Sequence, residues 1–98
     1  MGTLFCQKFI DGVPQLAEVV DLSPNGLLLR TPRAGHKKSD RFSIALDVPG
    51  NPTRLWLWAR TVRRGHMGTS VEEAVELIGT ELFDRASLAQ LVRWRATH

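Results

Sequence analysis

The segment RFSIALDV, residues 41–48, has the amino-acid pattern that decides the fold. Its Phe, Ile, Leu and Val alternate with Ser, Ala and Asp, which is the pattern of a β-strand with one face buried against a core. The turn-forming sequence PGNP follows at residues 49–52, and a second alternating segment runs from Arg54 to Arg64. The two segments predict neighbouring antiparallel strands.

Alternation of the same period recurs along the rest of the chain, and a helical period occurs only near the carboxyl terminus. Residues 31–40 and 65–73 are polar and predict loops, and Asp11-Gly12 predicts a tight hairpin turn. We predict one mostly β domain over residues 1–98, an antiparallel six-stranded barrel at about 4–83 with one helix at about 85–95, capped by Asp84. The other four predicted strands are Leu4–Ile10, Gln15–Val20, Leu27–Arg30 and Ala74–Phe83.

Composition excludes several classes of protein. A chain of 98 residues with 43% hydrophobic residues and a net charge of +3 is one small globular domain, too short for the larger catalytic folds. The longest apolar run, Leu55–Ala59, is far shorter than the roughly 20 residues that cross a bilayer as a helix, so no membrane insertion is expected. The single cysteine, Cys6, predicts a buried thiol and a reducing, cytoplasmic location.

Residue types that carry catalysis or bind metals are scattered. The histidines His36, His66 and His98 form no constellation with a nucleophile, and one cysteine provides no ligand pair at zinc spacing. We therefore expect no enzyme activity, no catalytic residue, no metal site and no cofactor.

The strand from Arg54 to Arg64 predicts one face with tryptophan and arginine in alternation. Trp56, Trp58 and Arg60 suit two roles, stacking on a single-stranded nucleic acid or anchoring a protein partner, for which one ring should be partly exposed. A third alternative is structural, in which the terminal helix buries both rings against Leu88, Leu91 or Trp94. The predicted face also includes Arg54, Val62 and Arg64.

The segment Asp21-Leu22-Ser23-Pro24-Asn25-Gly26 has a carboxylate, a hydroxyl and a glycine at a tight turn. As structure alone, Asp21 and Ser23 satisfy backbone groups of that turn. The spacing Asp-x-Ser-x-x-Gly before Leu27-Leu28-Leu29 also resembles the signature of the PilZ domain family. The resemblance extends over about Leu4 to Val92, because residues 42–50, 58–64 and 78–82 resemble the family's later strands in the same order.

The resemblance implies a six-stranded barrel with a carboxyl-terminal helix and a role in bacterial cyclic diguanylate (c-di-GMP) signalling. In receptors of this family, an Arg-x-x-x-Arg segment before the turn grips phosphate and guanine, with Asp21, Ser23 and Gly26 matching the rest of the site. No arginine precedes Asp21 here, and Lys8 is the one cation, a point charge that does not replace two planar guanidinium groups.

The first hypothesis is therefore a protein-interaction adaptor, with a partner in motility, such as the type IV pilus, or in signalling. The second is a receptor with c-di-GMP as regulatory ligand, through upstream arginines in a longer chain or through loop cations. The third, from another class, is a barrel that binds single-stranded nucleic acid, which we expect less. The candidate loop cations are Arg30, Arg33, Lys37 and Lys38.

Overall fold

The computed structural model describes residues 4–23, 25–47, 54–78 and 91–93. Six antiparallel strands close into a barrel in the order β1-β2-β3-β6-β5-β4, which confirms the predicted fold class. Residues 91–93 are helical, and the rest of the predicted helix and residues 79–83 lie outside the described part. The strands are β1 (Leu4–Ile10), β2 (Val13–Ser23), β3 (Gly26–Pro32), β4 (Arg41–Asp47), β5 (Arg54–Met67) and β6 (Ser70–Ile78).

The barrel interior is filled by the apolar half of each alternating strand. Phe42, Ile44 and Leu46 of the opening segment are almost completely buried. Leu91 joins the same core, so the carboxyl-terminal helix contributes at least one side chain to it. Burying such a side chain contributes roughly 1.5–3 kcal/mol to stability, which explains why the alternation predicts the fold so well.

The hairpin between β1 and β2 forms at the predicted turn. Asp11 and Gly12 have φ angles of 52° and 78°, and Ile10 pairs with Val13 across the turn. A two-residue hairpin turn of this hand requires two positive φ angles, which glycine and aspartate accept more readily than most residues.

The predicted loop at residues 65–73 is wrong. Strand β5 continues to Met67, β6 begins at Ser70, and the two strands are joined by a short turn in which Gly68 has a φ of 59°. The polar composition of this segment is misleading because Glu73 faces the interior of the barrel, where its side chain is buried. The position has the orientation of a core residue and the chemistry of a loop residue.

Two β-bulges change the direction of the side chains that follow them. One lies in β2 between Val19 and Asp21, and the other lies in β5 between Thr61 and Arg63. A bulge inserts one unpaired residue, so the inward and outward positions exchange beyond it. The predicted placement of Arg64 on the tryptophan face is therefore wrong, because Arg64 turns towards the interior.

Candidate functional site

Asp21 and Arg63 lie at the two ends of one row of residues across the outside of the barrel. Asp21 pairs with Leu28 of β3, Leu28 pairs with Ala74 of β6, and Ala74 pairs with Arg63 of β5. Three strand-to-strand spacings of about 4.8 Å each, measured along the curved wall of the barrel, separate the two outer strands of this row. Both charged residues are exposed, and the half-buried Leu28 and Ala74 form an apolar floor between them.

The turn between β2 and β3 uses most of its polar atoms internally. The Leu22 N–H donates to Asp21 Oδ1 at 2.8 Å, and the Gly26 N–H donates to Ser23 Oγ at 3.2 Å. Ser23 Oγ also donates to the Gly26 carbonyl at 3.2 Å. The structural role predicted for Asp21 and Ser23 is present, and Asp21 Oδ2 accepts no hydrogen bond from the described residues.

Gly26 occupies a position that has no room for a side chain. A Cβ atom at this position would lie 2.4 Å from the carbonyl oxygen of Val75 on the neighbouring strand β6. The backbone N–H of Leu77 also donates to the Asn25 carbonyl at 3.0 Å, which ties the turn to β6. The glycine of the Asp-x-Ser-x-x-Gly sequence thus allows β3 and β6 to pair closely beside the turn.

A cavity of about 270 Å³ opens beside this turn. Asp21, Ser23, Gly26 and Arg63 line it together with apolar side chains. Sequence reasoning missed Arg63, because uninterrupted alternation in β5 places this residue inside the barrel. The sequence did contain one sign of the bulge, namely that uninterrupted alternation would put the charged Arg63 at a core position. The apolar lining is provided by Leu22, Leu27, Leu28, Ala74 and Val75.

The four loop cations proposed from the sequence do not line this cavity. Arg30 is bound to Glu72 at 2.8 Å and lies 3.7 Å from Glu18. Arg33 lines a separate cavity with Gly68, beyond the end of β3 opposite to Gly26. Lys37 and Lys38 follow in the loop after Arg33. Of the described cations, only Arg63 lines the cavity with Asp21.

The outer face of β5 has two exposed tryptophans. Trp56 is 55% exposed and Trp58 is 47% exposed, so the alternative in which both rings are buried under the helix is wrong. The Phe9 ring of β1 packs against Trp56 with the ring centroids 5.3 Å apart. The expected partial exposure beside Arg60 is confirmed. We call the rings of Phe9, Trp56 and Trp58 the aromatic surface; the contact between Phe9 and Trp56 crosses β4, which lies between β1 and β5.

The arginines on either side of the tryptophans are paired with carboxylates. Arg54 Nε donates to Asp47 Oδ1 at 2.9 Å, and Arg60 binds Glu76. The hydrogen bond from Arg54 holds the pKa of Asp47 below its usual value. These two pairings lower the net positive charge beside the tryptophans relative to what the arginine content of β5 alone indicates.

A second group of polar residues lies inside the barrel around Glu73. Lys8 Nζ lies 2.5 Å from Glu73 Oε1, His36 Nε2 lies 3.2 Å from the same oxygen, and Arg64 Nη2 donates to Oε2 at 3.0 Å. Thr61 Oγ1 donates to Oε2 at 3.2 Å. Burial opposes ionisation of Glu73, but Lys8, His36 and Arg64 outweigh it and hold the pKa of Glu73 below its ordinary value.

Lys8 is thus a buried structural cation. Its side chain is fully buried, and its ammonium group lies 4.8 Å from the centre of the Phe42 ring. Cys6, two residues earlier in β1, is also buried, and burial raises the pKa of its thiol to about 12. The prediction of a buried cysteine is confirmed, and Lys8 faces away from the cavity beside Asp21.

The described residues contain no group of three or more side chains that could hold a metal ion. Within the same part of the chain, no helix is long and apolar enough to cross a membrane.

Two solved structures match the barrel over nearly the whole chain. The PilZ domain with c-di-GMP of YcgR from Escherichia coli has a TM-score of 0.73 and 16% identity, with 97% of this chain and 82% of that chain covered. The PilZ domain of CeSA from a cellulose-synthesizing bacterium has a TM-score of 0.68 and 22% identity, with 99% and 95% covered.

This chain has a PilZ-like fold. No protein-family model matches the sequence, and no curated protein matches it either. The PilZ-like architecture therefore rests on the three-dimensional arrangement of the strands, at an identity too low for the fold to carry a function with it.

Proposed function

We propose that this chain is a non-catalytic PilZ-type module of bacterial c-di-GMP signalling that acts mainly as a protein-interaction adaptor in the cytoplasm. The observation that carries the proposal is the aromatic surface of Phe9, Trp56 and Trp58. Its partner is a protein of a motility system, such as the type IV pilus, or of a signalling system. The PilZ-like fold supports the signalling context, and the exposed rings support the adaptor role.

The aromatic surface has the composition of a protein interface. Tryptophan and arginine are the residues most enriched among those that dominate binding energy, and they act best in a patch from which water is excluded. Trp56 and Trp58 provide the apolar centre, while the Arg54–Asp47 and Arg60–Glu76 pairs provide a charged rim. A partner that covers the two rings would gain their burial while Arg54 and Arg60 keep their carboxylate partners.

The size and lining of the cavity beside Asp21 favour the adaptor role over binding of a small molecule. Pockets for drug-sized ligands usually measure about 300–1,000 Å³, and this cavity measures about 270 Å³. It contains one guanidinium group, and Ser23 is already bound within its own turn. The Asp-x-Ser-x-x-Gly sequence is then mainly a structural turn, a remnant of a larger ligand site.

The adaptor role is tested by co-purification from a bacterium that encodes the protein. The variant Trp56→Ala/Trp58→Ala should lose proteins that the unmodified chain retains. The matched control, Phe5→Ala/Leu16→Ala, removes two other exposed apolar side chains, which line a separate cavity with Arg30. The control should retain the same proteins, and equal thermal unfolding of both variants establishes that folding is intact.

Two results would contradict the adaptor proposal. One is retention of the same proteins by the unmodified chain and by the tryptophan variant. The other is loss of those proteins from both double variants, because a general loss of apolar surface would then explain it.

A receptor role is the second candidate, and the presence of Arg63 in the same row as Asp21 favours it. Calorimetric titration with c-di-GMP separates the two roles. The adaptor proposal expects no binding at micromolar concentrations. Micromolar or tighter binding that is lost in Asp21→Ala or Ser23→Ala would establish the receptor instead.

Binding of single-stranded nucleic acid is a third alternative, because bases can stack on exposed aromatic rings such as those of Trp56 and Trp58. The pairing of Arg54 and Arg60 with carboxylates argues against it, because phosphate contacts need free cations. Tryptophan fluorescence that is unchanged by oligonucleotides at low salt would exclude this function.

A further inference from the structure

The segment that joins β3 to β4 accounts for the positive charge of the whole chain. Residues 33–41 contain four basic residues and one acidic residue, a net charge of +3, and the complete chain also has a net charge of +3. The four basic residues are exposed and form no ion pair with any described residue. They are Arg33, Lys37, Lys38 and Arg41.

This segment lies across one end of the barrel, which we call the basic end and define as residues 10–13, 32–41 and 67–70. His36 Nε2 lies 3.2 Å from Glu73 Oε1 in the interior, and Arg64 Nη2 donates to the Ser39 carbonyl at 2.9 Å. The two lysines between these contacts are exposed. The loop is thus held from inside while its cations face outward.

The acidic residues of the fold do not neutralise these cations. Glu73 is bound by the interior group, and Asp40 lies 3.6 Å from Arg64. Asp11 is at the basic end as well, but it forms no ion pair with a described residue. Clustered like charges repel one another, so folding gains nothing from the loop cations. Their arrangement suits an anionic partner.

Exposed aliphatic side chains lie at the same end. Met67, at the end of β5, is 58% exposed, and Val13, at the start of β2, is 52% exposed. The Arg33 N–H donates to the Thr69 carbonyl at 2.7 Å, which joins the basic loop to the hairpin that presents Met67. Basic residues beside exposed apolar side chains are typical of surfaces that bind anionic membranes.

We propose that the basic end docks on the surface of an anionic phospholipid bilayer. Lys37, Lys38 and Arg41 lie against the headgroup phosphates, and Met67 and Val13 enter the headgroup layer. No segment crosses the bilayer in this arrangement. The inference goes beyond the adaptor role and does not depend on the aromatic surface.

The cavity beside Arg33 suits a phospholipid headgroup. It measures about 660 Å³ and lies between the basic loop and the β5–β6 hairpin. The Arg33 guanidinium can donate two hydrogen bonds to a phosphate group, and the hydroxyls of Thr69 and Ser70 are further donors. Pro32 and Ala34 line the same cavity and can contact the apolar part of the lipid.

The side chains of the basic end fit a lipid better than a nucleic acid. Its described residues include no phenylalanine, tyrosine or tryptophan, so no such ring can stack on a base there. Met67 and Val13 would gain nothing from nucleic acid phosphates, whereas the headgroup layer of a bilayer can accept them.

The test is co-sedimentation of the intact chain with phospholipid vesicles. The chain should bind vesicles of equal parts phosphatidylcholine and phosphatidylglycerol at low salt, and should not bind vesicles of phosphatidylcholine alone. Binding should be lost at high salt, because salt screens the attraction. No binding to the mixed vesicles, or equal binding to both kinds, would overturn the proposal.

The basic loop is tested by Lys37→Ala/Lys38→Ala. This variant should bind the mixed vesicles about twentyfold more weakly, because each basic residue near an anionic membrane contributes about fivefold. The control Arg54→Ala/Arg63→Ala removes the same charge from other parts of β5 and should weaken binding by no more than about twofold. Equal thermal unfolding of the variants establishes intact folding. Equal weakening in both variants would overturn docking at the basic end.

The apolar contact is tested by Met67→Ser, which should weaken vesicle binding at least about threefold. Its control is Val62→Ser, because Val62 is 64% exposed on β5 but lies outside the basic end, so binding should be unchanged. Binding that Met67→Ser leaves unchanged would overturn the proposal. Equally tight binding of a DNA oligonucleotide would also overturn it, in favour of a nucleic acid partner.

The tryptophan variant separates this proposal from the adaptor role. Trp56→Ala/Trp58→Ala should retain vesicle binding, because neither ring belongs to the basic end. Loss of vesicle binding in this variant would place the docking surface on the aromatic rings and overturn the proposal. Since the co-purification experiment leaves the basic loop unchanged, either proposal can fail while the other stands.

Discussion

The interior group around Glu73 and the outer row from Asp21 to Arg63 differ in how their charged side chains are paired. In the interior, Glu73 is bound by Lys8, His36 and Arg64, which come from three different segments of the chain. In the outer row, Asp21 and Arg63 face a common cavity without binding each other. The interior charges bind one another and stabilise the fold, whereas the outer charges are exposed to a ligand in the cavity.

This difference separates structural charges from functional ones better than residue type does. A buried ion that lacks its partner is strongly destabilising, so the residues of the interior group depend on one another. Substituting a neighbour of an exposed charged side chain changes the free energy of unfolding little, because water solvates the charge in any case. Substitutions in the two regions should therefore affect different measurements, stability in the first and binding in the second.

The largest effect is expected from Glu73→Gln. The substitution leaves the ammonium group of Lys8 without its counter-charge in a fully buried position, and breaking a buried pair in this way costs about 3–5 kcal/mol. Urea denaturation followed by tryptophan fluorescence measures the change in the free energy of unfolding. The adjacent Glu72→Gln is the control, because Glu72 pairs with the more exposed Arg30 and should contribute no more than about 1 kcal/mol. Equal losses from the two variants would contradict a structural role for the interior group.

The second effect is expected from Gly26→Ala. The new Cβ would lie 2.4 Å from the Val75 carbonyl oxygen, so β3 and β6 must separate, at a cost of about 1–3 kcal/mol. The control is Gly65→Ala in β5, where a Cβ would meet no atom within 4 Å. Thermal unfolding should show a lower midpoint for the first variant and little change for the second. A harmless Gly26→Ala would mean that the turn and β6 are less closely packed than the structure indicates.

The third effect concerns pH. The pKa of Glu73 lies below its ordinary value of 4.5 in the folded protein, so its ionisation stabilises the fold above about pH 4.5. This contribution is lost as the pH falls through the lower, folded-state pKa. The difference in the free energy of unfolding between the unmodified chain and Glu73→Gln should therefore be constant near neutral pH and become smaller in acid. A difference that does not change down to about pH 3 would contradict the ionised state of Glu73.

The smallest effect on stability is expected from Arg63→Ala. This side chain is exposed and has no partner among the described residues, so the free energy of unfolding should change by less than about 0.5 kcal/mol. Urea denaturation followed by tryptophan fluorescence measures this change, as for Glu73→Gln. A large loss of stability would place Arg63 in the same class as Arg64 and would weaken the contrast between the two regions.

The sequence predicted the barrel because apolar alternation is a local signal. Strand β1 was predicted with its observed ends, and the turn at Asp11 was predicted because its backbone conformation depends on adjacent residues. The position of Glu73 was not predictable in the same way. Its partner Lys8 lies 65 positions away in the chain, so nothing near Glu73 indicates that a buried charge would be paired.

The candidate site was predicted in part, for a related reason. The turn residues Asp21, Ser23 and Gly26 are close together in sequence, so their spacing indicated the turn. Arg63 joins them through pairing across β3 and β6, and only after the bulge in β5 reverses its orientation. Pairing register and bulges depend on the whole sheet, which the alternation of one strand does not specify.

Closure of the sheet also limits how the protein can recognise anything else. Strand β1 pairs with both β2 and β4, so a peptide cannot bind by adding a strand to an open edge formed by the described strands. Recognition must then use side chains on the outer surface, and binding specificity can change by point substitution while the hydrogen-bonded framework stays the same. Such a barrel could acquire new partners through exposed residues such as Trp56 and Arg63 without any change in its strand order.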